Sequence, residues 1–330
     1  MSNFNTQVLL TGSAGFIGSH LARLLVEEGF TVRAMVRYSS RPQLGNLEFL
    51  PPHVLKEIEI LKGDLKDPDF GYRAAQNCTY IFHLGALIAI PYSYQNPTDF
   101  VQTNVTGTTY LLNAARKSDT LQRFIHTSTS EVYGTARYTP IDEQHPLQPQ
   151  SPYSASKMGA DLMALSYYNA FNLPVTVVRP FNTFGPYQSA RAVIPTIISQ
   201  LQTLSTIKLG NLSPKRDFLY VKDTAAGFLQ VGTHANTPGK VVNLGTGRDV
   251  SIAETYELIC RLMGKNPELL TDATRFRPEK SEVFHLICNA GLAHELTGWK
   301  PKYTLEQGLQ ETISWIQNHI ELYKPQEYNV

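Results

Sequence analysis

Two positions near the middle of the chain carry residue types that together can remove a proton from an alcohol. Tyr153 and Lys157 are four positions apart, so on a helix both side chains lie on one face. A lysine ammonium close to a phenol favours the phenolate, and we expect it to lower the tyrosine pKa from its usual value of about 10. A tyrosine tuned in this way can accept a hydroxyl proton while hydride leaves the same carbon.

A second polar group precedes this pair, in residues 128–134 at the end of a predicted strand. The Thr129 hydroxyl can hydrogen-bond the reacting hydroxyl. Thr129 and Glu131 are two positions apart, so in an extended segment their side chains point the same way. The alternative for Glu131 is a solvated loop acid, although its place beside the other groups favours a role in the chemistry. The candidate catalytic residues are Thr129, Glu131, Tyr153 and Lys157.

A glycine-rich turn near the start of the chain predicts a dinucleotide site. Gly12, Gly15 and Gly18 follow a predicted strand and open a predicted helix. The first glycine permits a tight turn, the second lets the backbone approach a pyrophosphate, and the third allows close helix–strand packing. Asp64 and Leu65, in the loop after the third predicted strand, could frame the adenine. The candidate cofactor-binding residues are Gly12, Gly15, Phe16, Ile17, Gly18, Arg37, Asp64, Leu65, Tyr153 and Lys157.

The end of the second predicted strand bears on the choice between the two nicotinamide dinucleotides. Chains that bind NAD usually carry an acid there, which contacts the adenosine ribose. This chain has Arg37, followed by Ser39, Ser40 and Arg41. A guanidinium and hydroxyls would accept a 2′-phosphate, which a carboxylate would repel. We therefore expect NADP or NAD, with NADP favoured by Arg37. In the alternative, Arg37 stacks on adenine or is solvated, and NAD binds.

An alternating series of strands and helices must bring these residues together. The predicted strands lie at 7–11, 31–36, 57–62, 80–84, 124–127 and 175–179, and the predicted helices at 16–28, 99–117 and 153–171. Such alternation predicts an α/β fold, a doubly wound parallel sheet of the Rossmann type with right-handed crossovers. Beyond Pro180 the pattern loosens, with helices predicted at 195–204, 221–232, 252–264 and 305–323 and a strand at 241–244.

This change of pattern indicates a smaller α/β substrate-binding domain. We assign residues 1–182, with 218–247 returning to it, to the dinucleotide-binding domain. Residues 183–217 and 248–330 form the substrate domain in this assignment. The length of 330 residues is sufficient for such a division.

The composition argues against several classes of partner. The chain has 29 basic and 28 acidic side chains without a basic block, so we expect neither nucleic acid nor a membrane as partner. Cys78, Cys260 and Cys288 are widely separated, which fits reduced thiols, and the histidines show no metal-ligand spacing, so we expect no metal. The first residues form no signal peptide, and we expect a cytoplasmic location.

Several segments together resemble the extended short-chain dehydrogenase/reductase family over nearly the whole chain, and within it the nucleotide-sugar 4,6-dehydratases. Besides the glycine turn, these are 128–134 (STSEVYG), 153–157 (YSASK) and 179–186 (RPFNTFGP). Residues 188–195, 216–221 and 277–283 resemble the dehydratases of legionaminic-acid-type pathways, which act on a nucleotide-activated N-acetylglucosamine. The segment with Ser130 before Glu131 is similar to the GDP-mannose 4,6-dehydratases.

The resemblance implies a complete reaction on UDP- or GDP-N-acetylglucosamine. Oxidation at C4 acidifies the C5 proton, which Glu131 removes; water leaves from C6 and hydride returns there. The dinucleotide ends as it began and can stay tightly bound. Many members have Asp where this chain has Ser130, a poor acid, so Glu131 could serve both steps. The implied substrate-binding residues are Ser130, Asn182, Arg191, Arg216 and Arg277.

Other readings of the same residues stay open. A UDP-glucuronate decarboxylase also uses a Thr-Ser-Glu segment, and a nucleotide-sugar C4 epimerase needs only Thr129, Tyr153 and Lys157. A cofactor-binding sensor would usually lose the tyrosine–lysine pair. The resemblance further implies a homodimer, in which the helices at 99–117 and 153–171 of two copies pair into a four-helix bundle.

Overall fold

The computed structural model describes residues 6–40, 43–276 and 278–327. The strands are β1 (Gln7–Thr11), β2 (Thr31–Arg37), β3 (Ile58–Gly63), β4 (Tyr80–His83), β5 (Arg123–Thr127), β6 (Val175–Pro180), β7 (Asn182–Phe184), β8 (Thr206–Leu209), β9 (Lys215–Arg216), β10 (Phe218–Tyr220), β11 (Val241–Leu244), β12 (Val250–Ser251), β13 (Glu268–Thr271) and β14 (His285–Leu286). The helices are α1 (Phe16–Glu27), α2 (Pro52–Lys56), α3 (Pro68–Ala75), α4 (Ile90–Gln95), α5 (Pro97–Phe100), α6 (Gly107–Arg116), α7 (Pro152–Phe171), α8 (Val193–Thr203), α9 (Val221–Thr233), α10 (Ile252–Met263), α11 (Gly291–Thr297) and α12 (Leu305–Asn318).

A seven-stranded sheet in the order β11-β6-β5-β4-β1-β2-β3 forms the centre of the molecule, and all of its neighbouring strands pair in parallel. The strands in its middle, such as β1, β4 and β6, are almost wholly buried because helices cover both faces. One buried cluster packs α1 and α9 on one face, and a second packs α3, α6 and α7 on the other. The predicted doubly wound Rossmann architecture is confirmed. The strand order reverses between β1 and β4, where ligands bind in such folds.

The long helix that carries the tyrosine–lysine pair begins at a well-defined position. Ser151 accepts a hydrogen bond from the amide of Ser154, whose side chain reaches back to the Ser151 amide, and Pro152 fills the first helical turn. This capping box, with a proline at the first position, fixes where the helix starts. The helix ends at Asn172, which adopts a left-handed conformation.

The helix predicted over 99–117 is interrupted in the structure. It consists of α5, a π-helical segment at Val101–Thr106 and α6. The buried Asn104 lies in the π-helical segment, and its side chain bonds to Leu87 and Ser156. The prediction of one regular helix is therefore wrong for residues 101–106, which are π-helical. A sequence pattern with a period of 3.6 residues cannot reveal this local change, which accompanies the tertiary hydrogen bonds of Asn104.

Past β6, the chain returns to the central sheet with α9, β11 and α11, and it otherwise forms shorter sheets and a third apolar cluster. The small sheets pair β7 with β10, β8 with β13, and β9 with both β12 and β14. The apolar cluster packs α8, α10 and α12 together. The helix predicted over 305–323 ends at Asn318, and a short 3-10 turn at Ile320–Leu322 follows it. The domain boundaries assigned from the sequence stay a prediction. Within the described residues, no helix is long and apolar enough to cross a membrane.

Candidate active site

The glycine turn between β1 and α1 is so tight that side chains are excluded from it. Gly12 has a φ of 70°, and a Cβ there would lie 2.7 Å from the amide nitrogen of Gly85. A Cβ on Gly18 would lie 2.1 Å from the carbonyl oxygen of Gly12. Gly15 is the N-cap residue, and no side chain caps the first turn of α1 at Phe16 and the residues after it. The amides of this turn can therefore face a pyrophosphate, so the residues present fit a dinucleotide.

A buried chain of hydrogen bonds fixes the backbone opposite this turn. The Thr108 hydroxyl donates to the carbonyl oxygen of Asn104 at 2.6 Å, so its oxygen accepts a hydrogen bond from His83 Nε2–H at 2.8 Å. His83 Nδ1 then accepts from the Thr11 hydroxyl at 2.8 Å, and Thr11 Oγ1 accepts from the Gly85 amide at 3.0 Å. Burial lowers the pKa of His83 well below its usual value, which agrees with this neutral form.

The other candidate cofactor residues lie along the same edge of the sheet. Arg37 is the exposed last residue of β2 and pairs with Gly63 of β3. The Asp64 carboxylate accepts a hydrogen bond from the amide of Lys66 at 2.9 Å. The Leu65 side chain packs against Gly85, since a Cβ built on Gly85 would lie 2.8 Å from it. The turn, Gly85 and Leu65 thus form neighbouring walls of one cleft.

The four candidate catalytic residues lie at the end of β5 and in the first two turns of α7. Thr129 is the extended N-cap of a 3-10 turn at Ser130–Tyr133, and its Oγ1 accepts from the amide of Glu131 at 3.3 Å. The Tyr153 ring packs edge-on against Phe100 at 6.3 Å. Thr129 hydrogen-bonds the Tyr153 phenol, and the Glu131 charge acts on it, so the structure brings these three side chains together.

The direction of the Tyr153 pKa differs from the sequence-based expectation. Burial raises this pKa, the hydrogen bond with Thr129 opposes the rise, and the charge of Glu131 adds to it. Burial also lowers the pKa of Lys157 to about 8, against the attraction of Asp161. The expected lowering of the tyrosine pKa is therefore wrong, because burial of the phenol raises its pKa and the hydrogen bond with Thr129 offsets only part of that rise.

A cavity of about 330 Å³ is lined by most of the candidate substrate-binding residues. Asn182 and Arg216 line it, and the exposed Arg191 lies at its rim, bonded to Ser189. Asn182 Oδ1 is buried and has no hydrogen-bond partner among the residues that the structure describes, so it can accept one from a ligand. Arg216 is largely buried and contacts Glu282 at 3.3 Å.

Ser130 and Arg277 are the other two predicted substrate-binding residues, and Arg275 is a further residue of the cavity wall. Ser130 is buried in the turn between Thr129 and Glu131 and is not among the described residues that line the cavity. Arg277 lies outside the described residues. Arg275, which the sequence analysis did not single out as a ligand-binding residue, lines the cavity and pairs with Asp272 at 3.0 Å.

The cavity and the catalytic group are joined through α4. Pro91 lines the cavity, and its neighbour Ile90 packs in one cluster with Phe100 and Tyr153. The wall of the cavity at Pro91 thus adjoins the apolar cluster around Tyr153, although none of the four candidate catalytic residues is among the described residues that line the cavity. In the described part of the chain, no group of three or more His, Cys, Asp or Glu side chains is arranged to hold a metal ion.

Two buried polar residues around the site have contacts that the sequence analysis did not anticipate. The Asn104 amide donates to the Leu87 carbonyl oxygen and to Ser156 Oγ, both at 2.9 Å. Asp161 was missed. Its position one turn after Lys157, on the same helix face, was the available signal.

Comparisons with known proteins agree with this geometry. A family profile described as GDP-mannose 4,6 dehydratase matches residues 9–312. The dTDP-D-glucose 4,6-dehydratase of Mus musculus is 32% identical, over 98% of this chain and 92% of its own length. The structure of the dTDP-glucose 4,6-dehydratase DesIV from Streptomyces venezuelae, solved with NAD, is 27% identical and superimposes with a TM-score of 0.86, covering 97% of this chain and 99% of that one.

Epimerases occur among the similar structures as well. The UDP-N-acetylglucosamine 4-epimerase of Methanobrevibacter ruminantium is 28% identical, with a TM-score of 0.86 over 96% of this chain and 99% of that chain. The matches span the glycine turn, the catalytic group and the cavity alike. The chain therefore belongs to the GDP-mannose 4,6-dehydratase family of extended short-chain dehydrogenases, and it is a nicotinamide-dependent enzyme of the nucleotide-sugar 4,6-dehydratase and epimerase group.

Proposed function

We propose that the chain is a nucleotide-sugar 4,6-dehydratase that converts UDP- or GDP-N-acetylglucosamine to its 4-keto-6-deoxy derivative. The observation that carries this proposal is the position of Glu131, in the turn that Thr129 caps beside Tyr153, where its charge helps to raise the pKa of the phenol. An epimerase needs no acid–base group besides the tyrosine, whereas a dehydratase needs a second one for the proton at C5. Glu131 supplies that group.

Each protein group has a defined task in this reaction. Thr129 and Tyr153 hold the C4 hydroxyl, and the tyrosine takes its proton. A nicotinamide dinucleotide bound by the glycine turn would supply the hydride acceptor for oxidation at C4 and the hydride donor for reduction at C6. Glu131 removes the C5 proton from the 4-keto sugar, and the C6 hydroxyl departs as water. Because Ser130 is a poor acid, Glu131 passes its newly acquired proton to that leaving hydroxyl.

The cavity supports a diphosphate-linked substrate. The Arg216 guanidinium can bind two phosphate oxygens at once. The unused acceptor of Asn182 in the same cavity suits a donor instead, such as a hydroxyl of the attached sugar. Arg191 at the rim and Arg277 complete the proposed set of substrate contacts. Arg216 is already paired with Glu282, so a diphosphate would share or displace that carboxylate.

For the cofactor we propose NADP rather than NAD, tightly bound, on the strength of Arg37. This side chain is exposed at the end of β2, on the sheet edge shared with the glycine turn. A guanidinium there suits a 2′-phosphate. The relative DesIV was solved with NAD, so the arginine is the feature that separates the two possibilities for this chain.

We also propose a homodimer in the cytoplasm. The helical segment around α6 packs beside α7, and this pair of helices leaves apolar side chains on the surface, among them Val101, which is 51% exposed, and Leu162, which is 52% exposed. Apolar side chains on two adjacent helices suit a four-helix contact with a second copy.

The C4 epimerase remains the second candidate, because an epimerase is among the similar structures. The test is mass spectrometry of a nucleotide-sugar panel incubated with the purified enzyme without added dinucleotide. The panel holds UDP- and GDP-N-acetylglucosamine, GDP-mannose, dTDP- and CDP-glucose, and UDP-glucuronate. Loss of one water from an N-acetylglucosamine substrate supports the proposal. Loss of carbon dioxide from UDP-glucuronate would establish a decarboxylase instead, and unchanged masses with a new C4 epimer would establish the epimerase.

A further inference from the structure

A buried ion cluster lies directly beneath the candidate catalytic residues. Asp161 Oδ2 accepts from Arg179 at 2.8 Å and from the Ser128 hydroxyl at 2.5 Å. The other carboxylate oxygen, Oδ1, is 3.1 Å from His126 Nε2, a close contact that is not aligned as a hydrogen bond. All four side chains are at least 97% buried. An anion at this depth persists only with such partners.

The charges in this cluster can be assigned. Burial alone would raise the pKa of Asp161, but His126, Arg179 and Ser128 together bring it to about 2. Burial and the charge of Lys157 lower the pKa of His126, so the imidazole is neutral at neutral pH. The cluster therefore contains one anion, Asp161, beside the cation Arg179.

Asp161 connects the three elements that carry the proposed chemistry. It lies on α7, one turn after Lys157, and its partner Ser128 immediately precedes Thr129 at the end of β5. Its other partner, Arg179 of β6, places its guanidinium 4.7 Å from the centre of the Tyr133 ring. Tyr133 belongs to the 3-10 turn that carries Glu131. One carboxylate thus holds both halves of the catalytic group in place.

Several titratable and charged groups face Lys157 from the surrounding elements. They are Asp161 of α7, His83 of β4 and His126 of β5. Tyr153 lies one helical turn before Lys157, and Arg179 of β6 lies on the far side of Asp161, to which it is paired. The two histidines are neutral, and Arg179 is paired with Asp161. Asp161 is therefore the group whose charge attracts the lysine ammonium against the cost of its burial.

We propose that Asp161 is a positioning residue of the active site: its carboxylate keeps Lys157 protonated and holds the turn that carries Glu131 against α7. The inference rests on the proposed function only in taking Tyr153 and Lys157 as the acid–base pair. Without this anion, a fully buried lysine would lose its proton at a lower pH and could no longer favour the phenolate.

The test is the titration of Lys157, measured by NMR on the full-length enzyme labelled with ¹³C at lysine Cε, with the signal assigned through Lys157→Arg. The wild-type ammonium should titrate at a pH of about 8. In Asp161→Asn we expect the midpoint to fall by about one pH unit, a tenfold change in the proton affinity of the lysine. This readout needs no substrate, so it stands even if no nucleotide sugar in the panel reacts.

Three further variants separate charge from packing. Asp161→Asn leaves Arg179 buried without a counterion, which could prevent folding. The double variant Asp161→Asn/Arg179→Gln removes both charges together, and its Lys157 titration midpoint should fall by the same amount. Ser128→Ala removes a hydrogen-bond donor to the Asp161 carboxylate but keeps the charges of Asp161 and Arg179. Asp223→Asn removes a buried carboxylate in another part of the molecule, where it accepts hydrogen bonds from the amides of Lys302 and Tyr303. Both should leave the midpoint unchanged.

The same variants should differ in activity. With whichever nucleotide sugar the panel identifies, the alkaline limb of the kcat profile should move to lower pH in Asp161→Asn, whereas Ser128→Ala should keep the wild-type limb. A wild-type midpoint for Lys157 in both Asp161 variants would overturn the proposal, as would an equal shift in Ser128→Ala.

Discussion

Gly12 and Gly85 lie back to back, and a Cβ on Gly12 would come within 2.7 Å of the Gly85 amide nitrogen. Hydrogen bonds fix the position of Gly85, because its amide donates to Thr11 Oγ1 and the Thr11 hydroxyl is itself hydrogen-bonded to the buried His83. The close approach leaves the two strand ends no room for a side chain at this point, which is where the strand order of the sheet reverses.

Gly12→Ala should therefore abolish cofactor retention. The methyl group would force β1 and β4 apart, and the φ of 70° is itself unfavourable for alanine. The measurement is the ratio of absorbance at 260 nm to that at 280 nm in the purified protein. Gly29→Ala is the matched control, since Gly29 has a φ of 83° but open space around it. The control should lose about 1 kcal/mol of stability and retain the dinucleotide; equal dinucleotide content in both variants would contradict the steric argument.

Glu131→Gln and Tyr153→Phe should stop the reaction at different stages. Without the carboxylate, C4 oxidation proceeds but C5 keeps its proton, so bound dinucleotide becomes reduced and no dehydrated sugar is released. Without the phenol, the first hydride transfer itself should slow by about 10²–10⁴-fold. Absorbance at 340 nm during a single turnover, together with mass spectrometry of the sugar, distinguishes the two stages. An unchanged rate of product formation in Glu131→Gln would refute the assigned role.

Asn104→Ala should destabilise the fold more than an ordinary asparagine substitution. Its amide bonds the Leu87 amide and carbonyl and Ser156 Oγ, tying the loop after β4 to α7. Leaving these buried groups unpaired should cost about 3 kcal/mol in the free energy of unfolding. Asn113→Ala, which removes a single bond from Tyr167, is the control and should cost about 1 kcal/mol. Urea denaturation measures both, and equal losses would show that Asn104 is not a structural tie.

The sequence was sufficient for the central sheet but not for the smaller ones. Strands β1 to β6 have four to seven residues, and those in the middle of the sheet, such as β1, β4 and β6, are almost wholly buried, so their apolar stretches can be recognised in the sequence. Strands β7, β9 and β10 have only two or three residues and pair with distant parts of the chain, so no local pattern marks them. Their existence depends on tertiary contacts alone.

In the candidate site, too, some features can be predicted from local sequence spacing and others depend on tertiary packing. The glycine turn and the Tyr153–Lys157 pair follow from local spacing, and the structure brings Thr129 and Glu131 to the same phenol. The pKa of Tyr153 could not be anticipated, because it depends on burial. Asp161 was missed for a similar reason: its partners His126 and Arg179 come from two separate strands, and only the packed sheet places them around one carboxylate.

Leu162→Glu should convert the proposed dimer to a monomer. Leu162 is 52% exposed on α7, where a second copy would cover it, and a buried unpaired carboxylate in that contact would be strongly unfavourable. Leu322→Glu is a control of equal exposure, 52%, in the C-terminal 3-10 turn. Sedimentation velocity at micromolar concentration should show a monomer for the first variant and a dimer for the second. A wild-type monomer under the same conditions would exclude the dimer altogether.

Arg37→Asp should reverse the cofactor preference. The exposed guanidinium ends β2 beside the adenosine end of the cleft, where it would contact a 2′-phosphate. An aspartate in its place repels that phosphate and can accept from both ribose hydroxyls of NAD. We expect the ratio of NADP to NAD affinity, measured by isothermal titration on protein stripped of dinucleotide, to fall by at least about tenfold, or 1.4 kcal/mol. Arg33→Ala, which removes a β2 arginine bonded to Glu59 away from the cleft, should leave the ratio unchanged. If wild-type protein binds NAD more tightly and Arg37→Asp does not alter the ratio, Arg37 has no part in cofactor selection.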